Sequence, residues 1–96
     1  MLVVVAYDVN TQDAAGSRRL RRVAKACIGK GQRVQSSVFE CFVNNADYIS
    51  LKHELESIID PEKDSLRFYN LGNNYQKRIS MSGKDSSYNP EDLLLL

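Results

Sequence analysis

The first apolar segment restricts the fold more than any other feature of the chain. Leu2–Ala6 reads LVVVA, and its residues are mostly β-branched. Such a run predicts a strand that is buried on both faces and therefore lies centrally in a sheet. No apolar run approaches the ~20 residues that cross a membrane, and no secretory signal is evident. With 96 residues, the chain is expected to form one small domain in the cytoplasm.

The pattern after this strand alternates between helix and strand. A polar loop, Asn10–Gly16, leads into an amphipathic helix that we expect Ser17 to cap and a glycine to end. Gln32–Val43 is rich in strand-forming residues, and a bend at Ser36-Ser37 would divide it into two short strands. This part of the chain therefore predicts the order β-α-β-β.

The second half of the chain repeats the helix-to-strand order. Asn45 is expected to cap a helix over Ala46–Ile59, followed by a strand over Asp64–Leu71 and a short last strand over Tyr75–Ile79. The order β-α-β-β-α-β indicates an α+β, ferredoxin-like split βαβ fold over residues 1–80. Residues 81–96 would form a C-terminal tail. Because two helices cover only one face of a sheet, a homodimer is expected to cover the other.

Charge is distributed unevenly along the chain. The net charge is only +1, yet the segment from Ala14 to Phe39 holds seven basic residues and no acidic one. This asymmetry favours a polyanion such as nucleic acid as a partner, whereas the alternative is a solvated helix face. The residues expected to contact nucleic acid are Arg18, Arg19, Arg22, Lys25 and Arg33.

Most enzyme motifs are missing from the sequence. The single histidine, His53, is expected at the surface of the second helix, and Cys27 and Cys41 are expected to be buried thiols. No phosphate-binding glycine loop, nucleophile elbow or zinc set is present. Metal-assisted chemistry through carboxylates is the option that remains, and a ligand-binding regulatory domain lacks any supporting motif.

Asp8 is the candidate carboxylate because it follows the central strand directly. The alternative is that Asp8 orders a turn by accepting hydrogen bonds from the residues after it. One carboxylate is a poor magnesium site, but a two-fold axis close to Asp8 would bring a second one from the partner chain.

Four neighbouring residues have open alternatives of the same kind. Tyr7 would position a phosphate or pack on the core, and Arg33 would neutralise phosphate or lie at the surface. The Ser37 hydroxyl would bind phosphate or belong to the bend. Phe39 would lie in the core or at an interface.

Three motifs, taken in order, resemble a known family. Tyr7-Asp8 ends the first strand, the basic helix segment Arg18–Lys25 (RRLRRVAK) follows, and Gly31–Glu40 (GQRVQSSVFE) comes third. Together they resemble the small CRISPR-associated nucleases of the adaptation module, the Cas-two family, from Leu2 to about Arg78. The loop after the first strand is similar to that of the variant found beside type I-C systems.

The resemblance implies a ferredoxin-like homodimer that holds Mg²⁺ or Mn²⁺ between two copies of Asp8. It also implies roles for Tyr7, Arg33, Ser37 and Phe39 in cleaving phosphodiester bonds of single-stranded RNA or double-stranded DNA. A further implication is assembly with the Cas-one integrase during spacer acquisition. The alternative function is a non-catalytic adaptor that bridges DNA within that complex.

Overall fold

The fold is a four-stranded antiparallel sheet with two helices packed on one face. The computed structural model describes residues 1–84, so most of the predicted tail, residues 81–96, lies outside the described residues. The sheet order is β2-β3-β1-β4, which is the ferredoxin-like order and confirms the predicted fold class. The elements are β1 (Leu2–Asp8), α1 (Ala14–Ile28), β2 (Gly31–Gln35), β3 (Val38–Phe42), α2 (Asn45–Ile58) and β4 (Ser65–Gly72).

Strand β1 lies at the centre of the sheet, as predicted, and pairs with β3 on one side and β4 on the other. Val3, Val5 and Tyr7 alternate into the core beneath the helices, where each is at most 2% exposed. Val4 and Ala6 point to the opposite face and are only half-buried. The predicted burial of β1 on both faces is therefore only partly found in the single chain.

The face of the sheet that carries no helix is called here the open sheet face. It contains the side chains of Val4, Ala6 and Asp8 from β1 and those of their cross-strand partners in β3 and β4. Two large side chains are exposed: Phe42, 46% exposed, and Tyr69, 47% exposed. A sheet with this much uncovered apolar surface is typical of an interaction face.

Helix α1 begins three residues before the predicted cap. Asp13 is the N-cap, and its side chain accepts a hydrogen bond from the backbone N–H of Ala15. Ser17 lies within the first turns and instead donates to the carbonyl oxygen of Thr11, at 2.7 Å. Gly16, expected in the loop, lies within α1. Any larger residue there would clash, because a Cβ would lie 1.9 Å from the carbonyl oxygen of Asn10. The glycine thus allows the β1–α1 loop to pack against the helix.

Two further boundaries differ from the prediction. Asn44, not Asn45, caps α2 by accepting a hydrogen bond from the N–H of Asp47, and α2 ends at Ile58. The predicted last strand over residues 75–79 is wrong, because Tyr75–Lys77 forms a 3-10 helix. Gly72 adopts a φ of +72°, which turns the chain away from the sheet.

The two cysteines and the histidine lie where the sequence predicts. Cys27 and Cys41 are free, fully buried thiols, and the hydrogen bond to Cys41, together with burial, raises the pKa of Cys27. His53 is exposed on α2. Within residues 1–84, neither helix is long and apolar enough to cross a membrane.

Candidate active site

Asp8 stands at the end of the central strand, on the open sheet face. It is exposed, and it lies opposite Ser65 of β4 in the pairing register. Beside it is an open cavity of about 330 Å³, formed where the ends of β1, β3 and β4 meet. The residues lining this cavity are Ala6, Tyr7, Asp8, Ser37, Val38, Ser65 and Arg67.

The carboxylate of Asp8 makes no hydrogen bond with residues 1–84, so it does not act as the turn residue of the loop. That role belongs to Asn10, whose side chain accepts a hydrogen bond from the N–H of Gln12 at 3.0 Å. The Asp8 carboxylate is therefore available to a ligand from solvent.

The donors at this site suit a hard cation that keeps part of its water shell. Of the residues that the structure describes, Asp8 is the one carboxylate that lines the cavity, and Ser37 and Ser65 carry the hydroxyls nearby. Within the described part of the chain, no group of three or more His, Cys, Asp or Glu side chains gathers as a metal site. Mg²⁺ accepts one or two carboxylates plus waters and phosphate oxygens, so Asp8 fits as one half of a shared site.

The other face of the same strand end carries a buried polar network. The Tyr7 hydroxyl donates a hydrogen bond to Asp64, and Arg19 of α1 forms an ion pair with Asp64, with Nε 2.8 Å from Oδ2. The backbone N–H of Asp60 donates to the same carboxylate at 3.0 Å. The network therefore ties the end of β1, helix α1 and the start of β4 together, directly behind Asp8.

The hydrogen bonds and charges of this network determine which of its groups are protonated at neutral pH. Burial of the Asp64 carboxyl acts to raise its pKa, but the hydrogen bonds from Arg19, Tyr7 and Asp60 outweigh burial and lower the pKa to about 2. Burial, and then the hydrogen bond to Asp64, raise the pKa of Tyr7 to about 12. The hydrogen bond to Asp64 also raises the pKa of Arg19. At neutral pH the phenol keeps its proton and the ion pair is fully charged.

The structure separates the predicted catalytic residues into two groups. Ser37 lies beside Asp8, and its carbonyl oxygen accepts a hydrogen bond from the N–H of Tyr7 at 2.9 Å. The side chains of Tyr7 and Phe39 point to the helix-covered face and are buried. Their placement favours a structural role for both aromatic residues over direct contact with a substrate.

Arg33 is committed to the β2–β3 turn. Its Nε donates to the carbonyl oxygen of Ser36 at 2.9 Å, and its guanidinium carbon lies 5.4 Å from the centre of the Phe39 ring. Arg33 therefore stiffens the hairpin that presents Ser37, although its half-buried guanidinium still reaches solvent.

The basic helix is less uniform than its sequence suggests. Arg19 is held by Asp64 and its side chain is only 15% exposed, so it is the member of the predicted nucleic-acid set whose charge is already neutralised. The cations of α1 that are exposed are Arg18, Arg21, Arg22 and Lys25. These four form the basic helix face.

Sequence reasoning missed Asp64, Ser65 and Arg67. Asp64 appears in the sequence only as the expected start of a strand, and nothing local indicates that its carboxyl is buried with Arg19. Arg67 and Ser65 alternate along β4, which places them on one face, but only the β1–β4 register puts that face beside Asp8. Pairing between distant strands is not readable from this sequence.

Fold and site together define the chain as a ferredoxin-like α+β protein with an exposed carboxylate at the end of its central strand and a basic helix. The sequence profile described as CRISPR associated protein Cas2 matches residues 1–79. The chain therefore belongs to the Cas2 family.

Individual relatives agree with this assignment. The chain is 55% identical over 95 residues to the CRISPR-associated endonuclease Cas2 of Halalkalibacterium halodurans, covering 99% of each chain. It is 53% identical to the CRISPR-associated endoribonuclease Cas2 of Nitratidesulfovibrio vulgaris, covering all of this chain and 94% of the relative. The crystal structure of Streptococcus pyogenes Cas2 superposes with a TM-score of 0.80 at 55% identity, over 86% of this chain and 100% of that chain.

Proposed function

We propose that this protein is a metal-dependent endonuclease that hydrolyses phosphodiester bonds and acts in CRISPR spacer acquisition with the Cas-one integrase. The observation that carries the proposal is the exposed Asp8 carboxylate, which makes no hydrogen bond with residues 1–84 and faces an open cavity. The names of the similar proteins, an endonuclease and an endoribonuclease, support cleavage of nucleic acid.

In this proposal, the active form of the protein is a homodimer. Two open sheet faces would pack together, burying Phe42, Val4 and Ala6 and bringing two copies of Asp8 towards one axis. Together the two carboxylates would hold Mg²⁺ or Mn²⁺, which would supply a nucleophilic hydroxide and stabilise charge on the phosphate. Ser37 and Ser65 would orient the phosphodiester, while the Tyr7 network would keep the end of β1 in place.

The dimer is expected to be stable at micromolar concentration. Light scattering after size-exclusion chromatography should give about twice the chain mass of 10.9 kDa, and Phe42→Glu should shift it towards the monomer because a charge would be buried in the interface. Ile49→Glu, on the exposed surface of α2, is the matched control and should remain dimeric. A monomeric wild-type protein would remove the shared metal site from the proposal.

The test of catalysis is the cleavage of labelled single-stranded RNA and labelled duplex DNA by the purified protein. Cleavage is expected with Mg²⁺ or Mn²⁺ and should stop when EDTA removes the metal. Restoring excess Mg²⁺ should restore the rate. Cleavage that continues at the same rate in EDTA would contradict a metal-dependent mechanism.

A second function, a non-catalytic adaptor that bridges DNA for the integrase, is favoured by the basic helix face. Arg18, Arg21, Arg22 and Lys25 are all exposed, and they lie on a helix that covers the sheet face opposite Asp8. Contacts from these side chains to phosphates would bind duplex DNA without reading its sequence. Both functions are compatible in one protein because they use different surfaces.

Binding through the basic helix face should be strongly salt-dependent. Replacing Arg18, Arg22 and Lys25 with alanine should make the plot of log affinity against log salt concentration for duplex DNA less steep. The magnitude of the slope should fall by up to about 3, because each phosphate contact contributes about 0.9 to it. The control variant replaces three other exposed cations, Lys63, Lys77 and Lys84, with alanine. It therefore loses the same three positive charges. Equal slopes for the two triple variants would show that the helix face makes no specific contribution.

A further inference from the structure

The open sheet face carries one more group beside Asp8 that the proposed mechanism does not use. Arg67 lies opposite Ala6 in the β1–β4 pairing, two residues along β4 from Ser65, which lies opposite Asp8. Because side chains alternate along a strand, Arg67, Ser65 and Asp8 all project from the same face. Arg67 also lines the cavity that Asp8 lines.

The guanidinium of Arg67 is free of acidic partners within residues 1–84, where the one ion pair joins Arg19 and Asp64. Its Nη1 lies 3.5 Å from the hydroxyl oxygen of Tyr69, a distance at the weak limit for a hydrogen bond. The side chain is exposed. By contrast, Arg19 and Arg33 direct their guanidinium groups into internal contacts.

The cavity therefore combines one cation, one carboxylate and two hydroxyls. Among residues 1–84, Arg67 is the only basic residue that lines it, and Asp8 is the only acidic one. A guanidinium presents parallel N–H donors that match two oxygens of a phosphate, whereas a bare carboxylate repels that phosphate unless a cation is present. A phosphodiester is the ligand class that would use both groups, because Arg67 would bind a non-bridging oxygen and Asp8 would hold a metal whose charge offsets that of the phosphate.

We infer that Arg67 forms a phosphate-binding subsite next to Asp8, which holds the phosphodiester that is to be cleaved. That this phosphate is the one to be cleaved rests on the proposed nuclease function. That a phosphate binds here rests on the cavity alone. It makes Arg67 a substrate-contacting residue on the open sheet face, distinct from the phosphate contacts of the basic helix face.

The test compares Arg67→Gln with Lys63→Gln, which removes one exposed charge from the nearby α2–β4 loop. Arg67→Gln is expected to raise KM for cleavage about tenfold, the usual effect of losing a hydrogen bond to a charged group. Its salt slope for binding single-stranded RNA in EDTA should fall by about 0.7. Arg67→Lys should retain the wild-type salt slope because it keeps the charge. Its KM should lie between those of the wild type and Arg67→Gln, because lysine lacks the planar donors of the guanidinium. Lys63→Gln should match the wild type.

The outcomes separate this inference from the proposed function. If Arg67→Gln has the wild-type KM and salt slope while Asp8→Asn is inactive, there is no phosphate subsite at Arg67. The nuclease proposal would then still hold. If the wild type cleaves neither nucleic acid, the nuclease proposal fails, and the salt slope in EDTA alone decides for or against the subsite. A monomeric Arg67→Gln protein would also overturn the inference, because it would assign the guanidinium to the subunit interface.

Discussion

Asp8→Asn is expected to lower the rate of nucleic-acid cleavage by about a thousandfold or more. The substitution keeps the size of the side chain and removes the charge that would hold the metal, and the charge stabilisation that a metal supplies in a transition state is worth several kcal/mol. The fold should not change, because the Asp8 side chain is exposed and makes no hydrogen bond within residues 1–84. Cleavage of labelled RNA and duplex DNA in Mg²⁺ measures the effect.

Glu62→Gln is the matched control for Asp8→Asn. Glu62 is an exposed carboxylate in the α2–β4 loop, outside the cavity lining, so its loss should leave the cleavage rate unchanged. Dimer mass and duplex affinity should be retained in both variants. If Asp8→Asn cleaves at the wild-type rate, the metal is held elsewhere and the adaptor function becomes the better account of the protein.

Asp64→Asn is expected to destabilise the protein by about 3 kcal/mol, the largest stability effect we predict. The Asp64 side chain is fully buried, and removing one partner of a buried ion pair leaves the other charge uncompensated. Tyr7→Phe is the control, because it deletes one hydrogen bond and keeps the ion pair, so it should cost only about 1 kcal/mol. Urea unfolding at a single protein concentration measures both free energies.

The same network predicts how stability depends on acid. Because the pKa of Asp64 is about 2 in the folded protein and about 3.9 in an unfolded chain, its ionised form stabilises the fold. That contribution is complete above about pH 4 and is lost as the pH falls towards 2. Asp64→Asn should lack this part of the acid transition. A variant with wild-type stability and a wild-type acid transition would show that the ion pair contributes nothing.

Local patterns in the sequence predict the elements well but not all of their ends. The central strand, both helices and the β2–β3 bend follow from periodicity and turn residues, which act over a few positions. The start of α1 differs from the prediction because Gly16 suggests a loop in the sequence, whereas in the structure it lets Asn10 pack closely against the helix. The predicted last strand is wrong because Gly72, with a φ of +72°, turns the chain at the end of β4, and Tyr75–Lys77 closes into a 3-10 helix instead of pairing with the edge of the sheet.

The candidate site divides in the same way. Asp8 and Ser37 could be predicted because each follows directly from a strand end or a turn. The surroundings of Asp8 could not, since Ser65 and Arg67 reach it only through pairing between strands more than fifty residues apart in sequence. The sequence predicts Tyr7 as a site residue because its neighbour along the chain is Asp8. In space, however, its side chain lies beside Asp64 and Arg19.

The position of β1 also affects how the chain folds during synthesis. β1 is made first, yet one of its two partners is β4, which leaves the ribosome about 30 residues after β3. At 5–20 residues per second this interval lasts a few seconds. Throughout it, one edge of the most hydrophobic strand has no partner and is open to pairing with another nascent chain. Slow translation between α2 and β4 is therefore expected to increase aggregation, and early access to a chaperone to reduce it.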